Sequence, residues 1–180
     1  MKVKTHTLCA FVISGLILCP APLSLADETT QDFRVIDGDT LEINGERHRL
    51  KGIDAPEQKQ TCRSLDNIVW TCGKHSTLAL KARIANSIID CRNDGKDRYK
   101  RHLSICFAGI INLNAWMVER GWAVAYRQFS NIFILQEQVA QSVKAGIWAG
   151  RFVMPWHWRR GIRLSAPPTP KENKGGIHDR

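Results

Sequence analysis

The tightest constraint on this chain lies between Phe33 and Ile53, where three β-prone runs are separated by two turn dipeptides. Phe33-Arg34-Val35-Ile36 is a short run rich in strand formers. Asp37-Gly38-Asp39 breaks it, and Asp-Gly is a strong hairpin signal. Thr40-Leu41-Glu42-Ile43 then alternates with a period of two, as a strand with one buried face does. Asn44-Gly45 marks a second hairpin turn, and Glu46 to Ile53 resumes the strand until Asp54-Ala55-Pro56-Glu57 ends it. The chain therefore opens as a three-stranded meander.

The remainder is expected to alternate loops, helices and one further strand pair. Residues 58–72 are polar and read as a loop. Gly73 to Ile89 has helical spacing, with Leu78, Ala82, Ala85 and Ile89 on one stripe and Ile84 and Ile88 beside it. Ile88–Arg92 and Leu103–Phe107 read as paired strands around the charged stretch Asn93–His102. Leu113, Met117 and Val118 predict a second helix after Asn112, and Trp122–Tyr126 is extended. Phe133–Ala145 predicts a third helix with Leu135, Val139 and Val143 on its stripe. No βαβ alternation appears, which favours a small β-barrel with packed helices over a doubly wound sheet.

The ends differ in character from this middle. Residues 1–26 read as a signal peptide: Lys2 and Lys4, a largely apolar run from Leu8 to Cys19, then Ser24-Leu25-Ala26 before Asp27. The apolar run is too short for ~30 Å of hydrocarbon. An uncleaved anchor and a lipoprotein site at Cys19 are the competing readings; Leu18 stands against the second. Residues 163–180 read as a tail, with Pro167, Pro168 and Pro170 and only Ile177 as a large apolar residue after Ala166. The folded domain is then 27–162.

Export changes the meaning of both charge and cysteine. The chain holds 26 Lys+Arg against 17 Asp+Glu, a net +9 that implies either an anionic partner of unspecified kind or a surface kept soluble by repulsion. Loss of Lys2 and Lys4 leaves 24 basic against 17 acidic side chains, a net +7. Of six cysteines, Cys62, Cys72, Cys91 and Cys106 remain, and an even number in an exported chain reads as two disulfides. Three connectivities are possible; the most local, Cys62–Cys72 with Cys91–Cys106, is preferred. Zinc is disfavoured, since no Cys-x-x-Cys pair is present and His75 is the only histidine nearby.

Three short segments carry candidate chemistry: Val35–Thr40, Arg49–Glu57 and Asp97-Arg98-Tyr99-Lys100-Arg101. Singly, each has a bland reading as a turn, a sheet-surface arginine or a solvated loop. Together, in this order, Asp-Gly-Asp-Thr, Arg-x₄-Asp-x-Pro-Glu and Asp-x-Tyr-x-Arg resemble the staphylococcal nuclease family. Asn112 with the helix to Gly121, and Gly146-Ile147-Trp148, extend the similarity to roughly Phe33–Trp158. The cysteines and the ending Pro155-Trp156-x-Trp158-Arg159 look like the exported Gram-negative branch.

The resemblance implies an α+β fold, a five-stranded OB-fold β-barrel with three α-helices, and a Ca²⁺-dependent nuclease acting on DNA and RNA; a monomer is the default expectation. By resemblance Glu57 is the general base and Arg49 and Arg101 are phosphate clamps. Asp39, Asp54 and the backbone carbonyl of Ala55 would hold the metal, with Thr40 behind them. Guanidinium forks suit paired phosphate oxygens, and a sparse set of oxygen donors suits Ca²⁺ better than strictly octahedral Mg²⁺. Tyr126 and Lys100 are candidate substrate contacts. Two positions depart from the family type: Lys100 stands where the type has glycine, and Ala55 where it has threonine. Arg151, Arg159, Arg160 and Arg163 form a basic cluster beside Trp156 and Trp158, read either as an extension of a nucleic-acid groove or as arginines in water around packed tryptophans. The competing functional class is a non-catalytic OB module for nucleic acid or another polyanion; the presence of all five acid and arginine positions stands against it.

Overall fold

The computed structural model describes residues 31–165. The expected signal peptide, and the tail from Ala166 onward, lie outside the described residues. The meander forms as the turn chemistry predicts: β1 (Phe33–Asp37), β2 (Thr40–Ile43) and β3 (Glu46–Leu50) pair antiparallel in sequence. Asn44 and Gly45 have φ of 50° and 82°. A two-residue primed turn demands positive φ at both positions, which Asn-Gly supplies.

A short β4 (Ile53–Asp54) follows, then a small hairpin, β5 (Cys62–Arg63) with β6 (Val69–Trp70), inside the stretch expected to be loop. Helix α1 (Cys72–Ile84) leads into β7 (Ile89–Lys96) and β8 (His102–Ala108), a longer hairpin than its apolar runs indicate. After β9 (Ile111–Asn112), Asn112 caps α2 (Leu113–Glu119), its side chain accepting from the Ala115 N–H at 3.0 Å. Then come β10 (Val124–Ala125), α3 (Ile134–Ser142), a 3₁₀ turn at Gly146–Ala149 and a fourth helix, α4 (Pro155–Arg159), which the sequence reading did not anticipate.

The main sheet runs β1-β2-β3-β8-β7, with β9 added to β8 and β3 parallel to β8. This is the OB class of α+β fold, but the barrel is not closed. β4 pairs with β10 in a separate ladder, and no ladder joins β1 to β7 among the described residues. Gln31 bridges that gap instead: its side-chain amide donates to the Ile89 carbonyl at 2.9 Å and accepts the Ile89 N–H at 2.7 Å. Both expected disulfides form, Cys62–Cys72 and Cys91–Cys106, the second between directly opposed residues of β7 and β8.

Two helix stripes differ from expectation. In α1 the buried positions are Cys72, Gly73, Ser76, Thr77, Leu80 and Ile84, whereas Leu78 is half exposed and Ile88 lies beyond the helix in the open. Hydrophobicity misled because the inward face carries small hydroxyls; Ser76 Oγ donates to the Trp122 carbonyl at 2.7 Å. In α3 the stripe Leu135, Val139 and Val143 faces outward, and Glu137 and Ala140 are buried. Glu137 is satisfied there by the Ala125 N–H at 2.9 Å and by Arg127. The core itself gathers Leu41, Leu50, Ile53, Leu80, Ile84, Leu113, Met117 and Val118 between sheet, α1 and α2.

Candidate active site

The turn after β1 delivers the first acid. The Asp37 carboxylate accepts the Asp39 N–H at 3.0 Å, which tightens the Gly38 turn. Gly38 has no room for a side chain: a Cβ there would collide with Ser76 Oγ and the Ala55 methyl. Asp39 is thereby buried against Ala55, whose N–H it accepts at 2.9 Å, and Thr40 donates to it at 3.1 Å.

Strand register brings the first arginine to this acid. Thr40 of β2 lies opposite Arg49 of β3. The Arg49 fork binds Asp39 with one amino group and Asp54 Oδ1 with the other at 2.8 Å. Asp54, fully buried, is held by the pairing of β4 with β10.

Glu57 stands at the rim, its side chain 37% exposed. Its backbone is fixed by a buried neighbour, Gln60, which accepts the Glu57 N–H at 3.2 Å and donates to the Val153 carbonyl at 2.6 Å. Gly73, at the start of α1, packs so closely on the Glu57 carbonyl that a Cβ would clash with it. The Cys62–Cys72 bridge ends one residue before that contact. The cysteine-bearing loop therefore braces the turn that carries Glu57.

The second half of the basic cluster enters here. Arg159, at the end of α4, donates from Nη1 to Asp54 Oδ1 at 2.9 Å and to Glu57 Oε1 at 2.6 Å, and from Nη2 to Asp54 Oδ2 at 2.8 Å. For Arg159 alone, this corrects the reading of the cluster as arginines in water. Of its other members, Arg163 stacks on Trp158 at 3.6 Å, and Arg151 and Arg160 are exposed.

Arg101 is placed apart. It pairs with Asp97 at 2.7 Å, in the β7–β8 turn, and no hydrogen bond or ion pair joins it to Asp39, Arg49, Asp54 or Glu57 among the described residues. Lys100 beside it has φ 65°, the left-handed region that glycine occupies freely. Tyr126 lies nearly parallel to Trp156, ring centres 5.5 Å apart, and edge-on to the exposed Phe129 at 4.8 Å. Tyr126 and Trp156 line a cavity of about 500 Å³.

The electrostatics show crowded negative charge. Burial, reinforced by Asp39 beside it, pushes Asp37 up to about 7. Burial also raises Asp54, with Asp39 adding to it, against the opposing pull of Arg159 and Arg49. Burial works against the charge on Arg49, but Asp39 and Asp54 outweigh it and hold the guanidinium above its usual value. Asp37 is a site member that sequence reading missed; its only signal was its place in the Asp-Gly-Asp turn.

No group of three or more acidic, histidine or cysteine ligands forms a ready cage among the described residues. The donors are nonetheless all oxygen, and burial, with Asp39 beside it, raises the Asp54 carboxyl against the pull of Arg159 and Arg49. That chemistry fits a hard divalent cation held by Asp39, Asp54 and the Ala55 carbonyl. Asp54 now spends both its oxygens on guanidiniums.

An open OB sheet gathers carboxylates and arginines where its turns meet, an arrangement chemically suited to a phosphodiester. The sequence pattern described as Staphylococcal nuclease homologue matches residues 47–150, and the chain belongs to that family. An "Uncharacterized endonuclease" of Escherichia coli O157:H7 is 34% identical over 87% of this chain and 97% of its own length. The "Micrococcal nuclease" of Shigella flexneri is 28% identical over 84% of this chain and 92% of its own. A "Succinoglycan biosynthesis protein ExoI" of Rhizobium meliloti (strain 1021) is 42% identical, over 63% of this chain and only 61% of that protein. The protein is a nuclease hydrolase with nucleic acid as its substrate.

Proposed function

We propose that this nuclease is exported, depends on Ca²⁺, cleaves DNA and RNA without regard to sugar, and leaves 3′-phosphate ends. Glu57 removes the proton from the attacking water, a role its partial exposure allows. Arg49 holds phosphate oxygens with its fork. Arg101 takes the remaining oxygens once it leaves Asp97, and assists the departing oxygen. Asp39, Asp54 and the Ala55 carbonyl hold the cation, with Thr40 supporting Asp39. When bound, the cation adds positive charge where the phosphate gains negative charge.

One observation carries the reading. Asp39, Arg49, Asp54 and Glu57 come from the β1–β2 turn, β3, β4 and the loop after it, and converge on one hydrogen-bonded cluster. Export is supported by the two disulfides, which belong to oxidising compartments. Among the described residues no helix is long and apolar enough to cross a membrane. A sparse carboxylate set also suits compartments where calcium sites work at about 10⁻⁴–10⁻³ M.

The test is cleavage of single-stranded DNA and of RNA by the purified protein with Ca²⁺ or with chelator, followed by end-group analysis. Calcium-dependent cleavage of both, with 3′-phosphate ends, is expected. Cleavage that persists in chelator, or 5′-phosphate ends, contradicts the proposed chemistry.

A further inference from the structure

We infer that Arg159 is a positioning residue for Glu57, so that α4 completes the active site. The inference rests on the reading of Glu57 as the base. Arg159 lies beyond residues 47–150, the span matched by the family, and is 102 positions from Glu57 in sequence.

The geometry is that of a bridge. One amino group, Nη1, reaches both Asp54 Oδ1 at 2.9 Å and Glu57 Oε1 at 2.6 Å, while Nη2 closes a two-point pair on Asp54 Oδ2 at 2.8 Å. A planar fork paired with a carboxylate at two points has a fixed direction. Asp54 is itself fully buried and also bound by Arg49. Among the described residues the Glu57 carboxylate has no other hydrogen-bond partner. Its direction is therefore set by Arg159. A glutamate free to rotate samples many positions, and a general base must meet its proton within hydrogen-bond reach.

The helix that carries Arg159 is anchored at three points. Pro155 is buried at its first turn. Trp156 stacks on Tyr126. The chain entering it is tied through the Val153 carbonyl to Gln60, the residue that fixes the Glu57 backbone. Side chain and backbone of Glu57 are thus both referred to one C-terminal segment.

The experiment measures kcat and KM on an oligonucleotide, at saturating cation, for wild type, Arg159→Lys, Arg159→Gln and Glu57→Gln. Arg159 is partly exposed on a short helix, and unfolding midpoints taken alongside show that the variants fold. In Arg159→Gln kcat is expected to fall about 10–10²-fold, the scale on which misplacing a reacting group by an ångström acts. KM should stay within about twofold, since substrate binding itself is untouched. Arg159→Lys should be intermediate, because an ammonium reaches one carboxylate but does not bridge two. In the metal-free protein, guanidinium ¹⁵N–H signals absent from Arg159→Lys should be resolved and slow to exchange; free rotation of that group overturns the inference. So does an unchanged or raised kcat in Arg159→Gln, the result for a mere counter-ion of Asp54. A raised KM with kcat intact overturns it too, making Arg159 a phosphate contact. If Glu57→Gln is inactive while Arg159→Gln turns over normally, only this inference fails. If Glu57→Gln cleaves at the wild-type rate, the assigned base fails, and the positioning role with it.

Discussion

Lys100 shows how a residue reveals its constraint only in three dimensions. Its φ of 65° is the conformation that costs a non-glycine residue about 1–2 kcal/mol. Lys100→Gly relieves this at some expense in unfolded-chain entropy, and is expected to stabilise by up to about 1 kcal/mol. Lys100→Val, β-branched and least suited to positive φ, is expected to cost about 1–2 kcal/mol. Thermal unfolding of the two variants separates them, and a valine variant as stable as wild type would refute the assignment. The motif spacing made Asp39, Arg49, Asp54 and Glu57 legible, because adjacent turns and strands bring them together locally. Arg159 was not legible in that way. A basic residue between tryptophans reads equally as solvated, and only the docking of α4 turns it onto Asp54 and Glu57.

At the scale of elements, turn chemistry was a better guide than hydrophobic stripes. Asn44-Gly45 and the Asn112 cap stand where their side-chain and backbone preferences put them. The α1 and α3 stripes do not, since buried Ser76 and Glu137 find partners that periodicity does not register. The β7–β8 hairpin carries its own titratable staple. Burial works to raise the Asp97 carboxyl, but the Arg101 guanidinium and the Arg101 and Tyr99 N–H groups hold it below the usual 3.8. A lowered folded-state value means that this stabilisation is fully present above pH 3.8 and is lost as pH falls below it. Amide exchange at Tyr99 and Arg101 should therefore stay slow at pH 5 and accelerate below pH 3.8, beyond the intrinsic trend. Protection that persists after the carboxyl protonates would show that Asp97 does not hold the turn.

For the whole molecule, net charge becomes specific once the fold is known. The +9 of the sequence fitted either an anionic partner or a surface kept soluble by repulsion, and the family favours the first, with nucleic acid as the partner. Lys and Arg that neutralise phosphates make binding fall with salt, with a slope of about −0.7 per phosphate on single strands. If Arg101 leaves Asp97 to clamp a phosphate, Arg101→Gln should make that slope shallower by about 0.7, measured by fluorescence titration with chelator present. An unchanged slope would leave Arg101 as a structural partner of Asp97. The meander and the absence of βαβ alternation pointed to a small β-barrel with packed helices, and the family resemblance made it the OB class. The open sheet, with Gln31 spanning from β1 to β7 in place of a ladder, was not legible, because one side-chain amide leaves no periodic trace.

The central claim is that the buried cluster of carboxylates and arginines cuts phosphodiesters with Glu57 as base. It is tested most directly by the single-turnover rate of DNA cleavage in saturating Ca²⁺, wild type beside Glu57→Gln. Wild type is expected to cleave only with calcium, and Glu57→Gln at a rate about 10²–10⁴ lower at matched stability. Equal rates in the two proteins would contradict the claim.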